Sequence, residues 1–154
     1  MALEVGQAAP DFTLVDETGD SVTLSALTGT VVVLVFYTFD FSPICTSELC
    51  GIRDDFSSWQ QAGARVFGIS RDSRFSHAVF KERERLTHSL LADTKGEAAR
   101  AYDTWNEALG AAERLTVVID GDGKIAYLLK NAIPDARDHS EVEAAIARLG
   151  NGSG

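Results

Sequence analysis

The feature that most limits how this chain can fold is the run Val31-Val32-Val33-Leu34-Val35-Phe36-Tyr37. A strand with one wet face alternates apolar and polar residues. This run does not alternate, and it is β-branched at its start, as expected of a central strand buried on both faces. Such a strand needs cover above and below, and the neighbouring segments provide it. From Ile44 to Ala62 the apolar residues Leu49, Ile52, Phe56 and Trp59 recur at three- and four-residue steps, which predicts a helix with one stripe on the core, stopped by Gly63. Arg65–Ser70 reads as the next strand, and Ser73–Leu86 as a helix with Phe75, Val79 and Leu86 inward. A short strand at Leu90–Ala92 and a short helix at Lys95–Tyr102 follow.

Two short strands, Asp11–Val15 and Ser21–Leu24, flank the turn Glu17-Thr18-Gly19-Asp20 and form an opening hairpin. Leu115–Asp120 and Lys124–Leu129 make a second hairpin about Gly121-Asp122-Gly123, and Ser140–Leu149 is the last helix. The order predicts an α/β domain with a central mixed sheet, helices on both faces and an N-terminal hairpin. It is compatible with a thioredoxin-like fold and by itself also permits a flavodoxin-like one. Residues 1–149 read as a single domain and 150–154 as a flexible tail.

Composition narrows the function classes. The net charge of −9 disfavours nucleic acid and anionic membrane as partners, since both reward basic patches. No apolar stretch nears the ~20 residues of a membrane helix. The start Met1-Ala2-Leu3-Glu4-Val5 lacks the basic and apolar regions of a secretory signal, so the expected setting is cytoplasmic. Lysine occurs only at positions 81, 95, 124 and 130, a bias that fits either a salt-rich cytoplasm or a biased genome. His77, His88 and His139 lack metal-ligand spacing, and Asp120-Gly121-Asp122-Gly123 reads as a hairpin turn rather than a calcium loop. These residues give no reason to expect a metal site.

The two cysteines, Cys45 and Cys50, are too few for a disulfide-stapled scaffold. Cys45 follows the C-terminal end of the central strand and falls at the start of a helix, the edge where open α/β sheets carry their sites. Unpaired N–H groups and the positive end of the helix dipole stabilise a thiolate there. A free cysteine is most often a small buried hydrophobe. Ser42, Pro43 and Thr46 make a polar, turn-forming surround that weighs against that reading.

The segment Thr38-Phe39-Asp40-Phe41-Ser42-Pro43-Ile44-Cys45-Thr46-Ser47-Glu48-Leu49-Cys50 resembles the active-site signature of the peroxiredoxins, which runs Pro, three residues, Thr, two residues, Cys. Here that register reads Thr38, Ser42 and Cys45. Val5–Leu14, Val66–Ser73 with Ser76-His77, Leu90–Asp93 and Arg114–Asp120 resemble further family segments in the same order, so the resemblance covers nearly the whole chain. The five-residue cysteine spacing is similar to that of the bacterioferritin-comigratory, or Q-type, subgroup. Two positions depart from the signature: Ser42 keeps a hydroxyl, whereas Thr38 replaces the proline that shields the cysteine.

The resemblance implies a thioredoxin-like fold and a thiol-dependent peroxidase acting on hydrogen peroxide or organic hydroperoxides. Cys45 would be the peroxidatic thiolate, oxidised to a sulfenic acid. Arg114 would lower its pKa and orient the peroxide, although from the residue alone a surface arginine is the default. Ser42 would hydrogen-bond the peroxide. Cys50 would resolve the sulfenic acid as an intramolecular disulfide, re-reduced by a thioredoxin-like dithiol. Two helical positions five apart lie about 140° around the axis and roughly 8–9 Å apart, beyond the ~7 Å Cα limit of a disulfide, so such pairing requires the helix to open. The subgroup resemblance leans toward a monomer or weak homodimer. Alternatives are a one-cysteine peroxidase with Cys50 idle, a thiol–disulfide exchange protein, and a binding module with incidental cysteines.

Overall fold

The computed structural model describes residues 3–42, 50, 53–54, 59–130 and 139–152. Its centre is the expected buried strand, β3 (Val31–Phe36), every residue of which is buried. Side chains alternate across a strand, so one run feeds two cores. Val31, Val33, Val35 and Tyr37 enter one hydrophobic cluster with Trp59, Phe80, Val142, Ala145 and Ile146. Val32, Leu34 and Phe36 enter another, with Leu14, Leu24, Ala98, Ala99 and Tyr102.

The elements in chain order are β1 (Thr13–Asp16), β2 (Ser21–Thr23), a 3-10 turn (Leu24–Leu27), β3, β4 (Ala64–Ser70), α1 (Arg74–Glu84), β5 (Ser89–Ala92), α2 (Glu97–Ala101), β6 (Trp105–Asn106), β7 (Ala111–Ala112), β8 (Leu115–Ile119), β9 (Ile125–Lys130) and α3 (His139–Gly152). Seven strands form one sheet in the order β2-β1-β5-β4-β3-β8-β9. β3, β4 and β5 are parallel neighbours, while β1, β8 and β9 join antiparallel. These antiparallel edges set the sheet apart from the all-parallel flavodoxin-like alternative. The opening hairpin is present, with Leu14 opposite Val22.

Between Cys50 and Gln61, each described residue is helical. Gly63 ends that helix at φ +89°, and its N–H bonds the Gln60 carbonyl at 2.9 Å. The β8–β9 turn is closed by Asp120, whose Oδ1 accepts the N–H groups of Asp122 and Lys124. No group of side chains suited to a metal occurs among the described residues. None of the helices is long and apolar enough to cross a membrane, again among the described residues.

The inward face of α1 differs from the expected one. Phe75 and Val79 are 67% and 58% exposed, whereas His77 and Phe80 are buried. The hydrophobic stripe misleads here because the position that faces the sheet carries a histidine. The exposed Phe75 ring has the Arg74 guanidinium 4.2 Å from its centroid. The small β6–β7 ladder was also not foreseen, since two-residue strands carry no readable period. α3 runs three residues beyond Leu149.

Candidate active site

Parallel pairing brings the C-terminal ends of β3, β4 and β5 to one edge of the sheet. The chain leaves β3 there through Tyr37, Thr38, Phe39, Asp40, Phe41 and Ser42, toward the cysteine segment. Cys45 itself, with residues 43–49, lies outside the described residues, as do Leu49, Ile52 and Phe56 of the expected helix stripe.

That exit loop is fixed by a buried polar network. Asp40 is its hub. Its Oδ1 accepts the Tyr37 hydroxyl at 2.6 Å, and its Oδ2 accepts the Ser76 hydroxyl at 2.8 Å. His77 Nδ1 lies 2.9 Å from the same Oδ2 and 3.1 Å from Oδ1. The other ring nitrogen, Nε2, is 3.0 Å from the Leu91 carbonyl. A carbonyl only accepts, so Nε2 carries a hydrogen. An ionised carboxylate also only accepts, so one proton must lie between Nδ1 and Asp40, on the ring or on the acid. The pair therefore holds a shared proton out of water, and it ties the loop to both α1 and β5.

A second carboxylate completes the anchoring. Asp72 Oδ2 accepts the backbone N–H of Asp40 at 2.8 Å and the Ser70 hydroxyl at 2.6 Å. Burial, with Asp40 beside it, holds the Tyr37 phenol well above its ordinary pKa, so Tyr37 stays a hydrogen donor. Phe41 adopts φ +69°, a left-handed conformation uncommon for a bulky residue, and its ring packs on Phe80 at 4.9 Å. A reversal of that kind persists where its surroundings over-determine it. Here Asp40 fixes one side of it, and on the other the Ser42 N–H bonds the Phe39 carbonyl at 3.3 Å.

Thr38 is buried and Ser42 half-buried, at the two ends of this loop. Arg114 directly precedes β8 and is only 1% exposed. The register pairs Phe36 with Leu115, so the next position outward sets Arg114 beside Tyr37, at the strand end from which the loop departs. A fully buried guanidinium is costly unless it meets compensating groups. The default reading of a surface arginine fails for this residue.

Cys50 is half-buried and a free thiol. Its Sγ lies 3.9 Å from Glu84 Oε1 at the end of α1. Burial pushes the thiol above its ordinary pKa; Arg53 pulls it down, and Glu84 and Asp54 raise it further. The structure thus brings Thr38, Ser42 and Arg114 to one strand edge and sets Cys50 against α1. The sequence reading missed Tyr37, Asp40, Asp72 and Glu84, and it gave His77 no part in this site. Ser73 is the cap of α1, its side chain accepting the Ser76 N–H. The one available signal was Asp40 itself, an acid placed among aromatics in the cysteine loop. A cleft of about 540 Å³, lined in part by Thr30, Gly63, Asp122 and Arg148, lies at the opposite edge of the sheet and takes no part in this arrangement.

Residues 5–128 match the AhpC/TSA family. Peroxiredoxin Bcp of Bacillus subtilis is 39% identical over 132 residues, which cover 81% of this chain and 83% of that protein. The putative peroxiredoxin bcp of Coxiella burnetii is 39% identical over 155 residues, covering 97% of this chain and all of its own length. Among solved structures, the peroxidoxin BcpB of Mycobacterium tuberculosis superposes with a TM-score of 0.85 at 32% identity, over 97% of this chain and 98% of its own. The sheet order, the loop leaving β3 and these similarities agree: the chain belongs to the AhpC/TSA family, as a peroxiredoxin of the Bcp or Q type with thiol-dependent peroxidase activity.

Proposed function

We propose that Cys45 is the peroxidatic thiolate and that Arg114, Ser42 and Thr38 serve it from the strand edge. The observation that carries this reading is the burial of Arg114 at the end of β8, against the strand from which the cysteine segment departs. A guanidinium is always charged and presents several donors in a fixed fork, so it lowers the pKa of a nearby thiol and orients peroxide oxygens. The Cys45 thiolate attacks the outer oxygen of ROOH. An S–O bond forms, the O–O bond breaks, and the leaving alkoxide takes a proton to give ROH, or water when the substrate is hydrogen peroxide. Cys45 becomes a sulfenic acid. Ser42 hydrogen-bonds the peroxide, and Thr38 closes the pocket where the family carries proline.

Cys50 then attacks the sulfenic sulfur. The Cys45–Cys50 disulfide forms and the sulfenic oxygen departs as water. A thioredoxin-like dithiol restores both thiols and is itself oxidised. In this reading the enzyme works in the cytoplasm as a monomer or weak homodimer, and no metal or organic cofactor enters the cycle.

The test is stopped-flow tryptophan fluorescence of the reduced protein mixed with hydrogen peroxide, in the wild type and in Cys45→Ser, Cys50→Ser and Arg114→Ala. The buried Trp59, helical on the Cys50 side, is a suitable reporter. Cys45→Ser should abolish the first phase and Cys50→Ser the second. Loss of one charged oxyanion donor should slow the first phase of Arg114→Ala by about 10²–10³-fold. A Cys45→Ser variant that still consumes peroxide, or an Arg114→Ala variant of undiminished rate, would remove the corresponding residue from the mechanism.

A further inference from the structure

Cys50 faces a carboxylate, and that contact has a chemical consequence. Glu84 is the last residue of α1, where a negative side chain opposes the helix dipole, so local helix stability does not explain its presence. Its Oε1 is the acceptor for the Cys50 S–H at 3.9 Å. One turn along, Arg53 Nη1 donates to the Glu84 backbone carbonyl at 2.6 Å, while Arg53 Nε engages Asp54. Cys50 and Arg53 therefore both bind the same residue, which holds the thiol against the carboxylate. The charged groups that act on Cys50 are Glu84 from α1 and Arg53 and Asp54 from its own helix.

We propose that Glu84 is the general base that takes the Cys50 proton in the resolving step. The inference rests on Cys50 being the resolving thiol. As Cys50 Sγ attacks the Cys45 sulfenic sulfur, the S–H proton passes to the Glu84 carboxylate. The S–S bond forms, the S–O bond breaks, and the departing hydroxide is protonated from the Glu84 acid or from solvent. The sum is thiol plus sulfenic acid giving disulfide plus water, with Glu84 regenerated. A base is needed because Cys50 is mostly a neutral thiol near pH 7, and the thiolate is the nucleophile.

Glu84→Gln distinguishes this role from a purely electrostatic one by the sign of its effect. As a negative charge alone, Glu84 suppresses the Cys50 thiolate, and its removal would speed disulfide formation. As a base, its removal slows disulfide formation by about 100-fold at pH 7. The two phases are followed by tryptophan fluorescence after mixing with hydrogen peroxide, and the disulfide is verified by acid quench, alkylation and mass spectrometry. The expected result is an unchanged first phase and a slowed second phase, with the deficit shrinking as rising pH ionises Cys50 unaided. In Glu84→Ala, added acetate should restore the second phase in proportion to its concentration.

A second phase in Glu84→Gln as fast as wild type, or faster, overturns the proposal. If both phases fall together, the Glu84→Ala variant decides: absence of acetate rescue in its second phase equally overturns it. A Cys50→Ser protein that still shows the second phase removes Cys50 as the resolving thiol, and with it the ground for Glu84. Failure of Glu84 alone leaves the Cys50 assignment standing.

Discussion

Acidification should destabilise this protein through His88, and the size of the effect can be worked out. His88 is fully buried just before β5, and neither ring nitrogen has a hydrogen-bond partner among the described residues. Burial, with Lys81 adding to it, lowers the His88 pKa to about 3. The unfolded chain carries this histidine near its ordinary value of about 6.5. Between those values the unfolded state binds a proton that the folded state refuses, so stability is complete above about pH 6.5 and is lost as the pH falls toward 3. At pH 5, 1.5 units below the unfolded pKa, the loss is about 2 kcal/mol. A domain of this size should lose about 4–8 °C in Tm for it. Burial raises the Asp16 carboxyl, but the hydrogen bonds it accepts from Thr18, Asp20 and Gly19 hold it below its ordinary value, and the Lys130 side chain lowers Glu113.

His88→Leu isolates the effect, because leucine has similar volume and nothing to protonate. At pH 7 the variant should be about 1 kcal/mol more stable, having lost two unpaired buried nitrogens. At pH 5 its advantage should grow to about 3 kcal/mol. Urea unfolding of both proteins at the two pH values, followed by tryptophan fluorescence, measures this directly. Equal changes in wild type and variant between pH 7 and pH 5 would refute the reasoning, since His88 would then be either hydrated or already partnered.

Three further outcomes follow from the geometry. Asp40→Asn leaves His77, Tyr37 and Ser76 with an amide in place of the shared carboxylate; it should cost about 3 kcal/mol in urea unfolding and slow peroxide reduction by misplacing the loop toward Cys45. Gly96→Ala should cost about 1–3 kcal/mol, because φ is +69° there and an added Cβ would lie 2.7 Å from Trp105 Cζ3; thermal unfolding reads it. Ser73→Ala removes the cap of α1 and should lower stability by about 1 kcal/mol in the same assay.

The family and its cysteine segment were legible because their signals are contiguous. Val31–Tyr37 is apolar without alternation, which only a doubly covered strand explains. Thr38, Ser42, Cys45 and Arg114 could be named because a motif keeps its spacing along the chain, and the hairpin at Gly121–Gly123 was readable from its own turn residues. What escaped depends on groups far apart in sequence. His77 meets Asp40 across 37 positions and Leu91 across 14, and Glu84 meets Cys50 across 34. Periodicity even pointed the wrong way on α1, where a polar histidine takes the inward position and Phe75 faces outward. The sequence by itself determined the layered α/β sheet and the type of chemistry, because burial pattern and local motif are written one residue after another. Only the tertiary structure decided which groups share Asp40 and which carboxylate faces Cys50. A carboxylate's partners are set by which strand ends and helix turns meet in space, and hydrogen bonds of 3 Å have no trace in spacing.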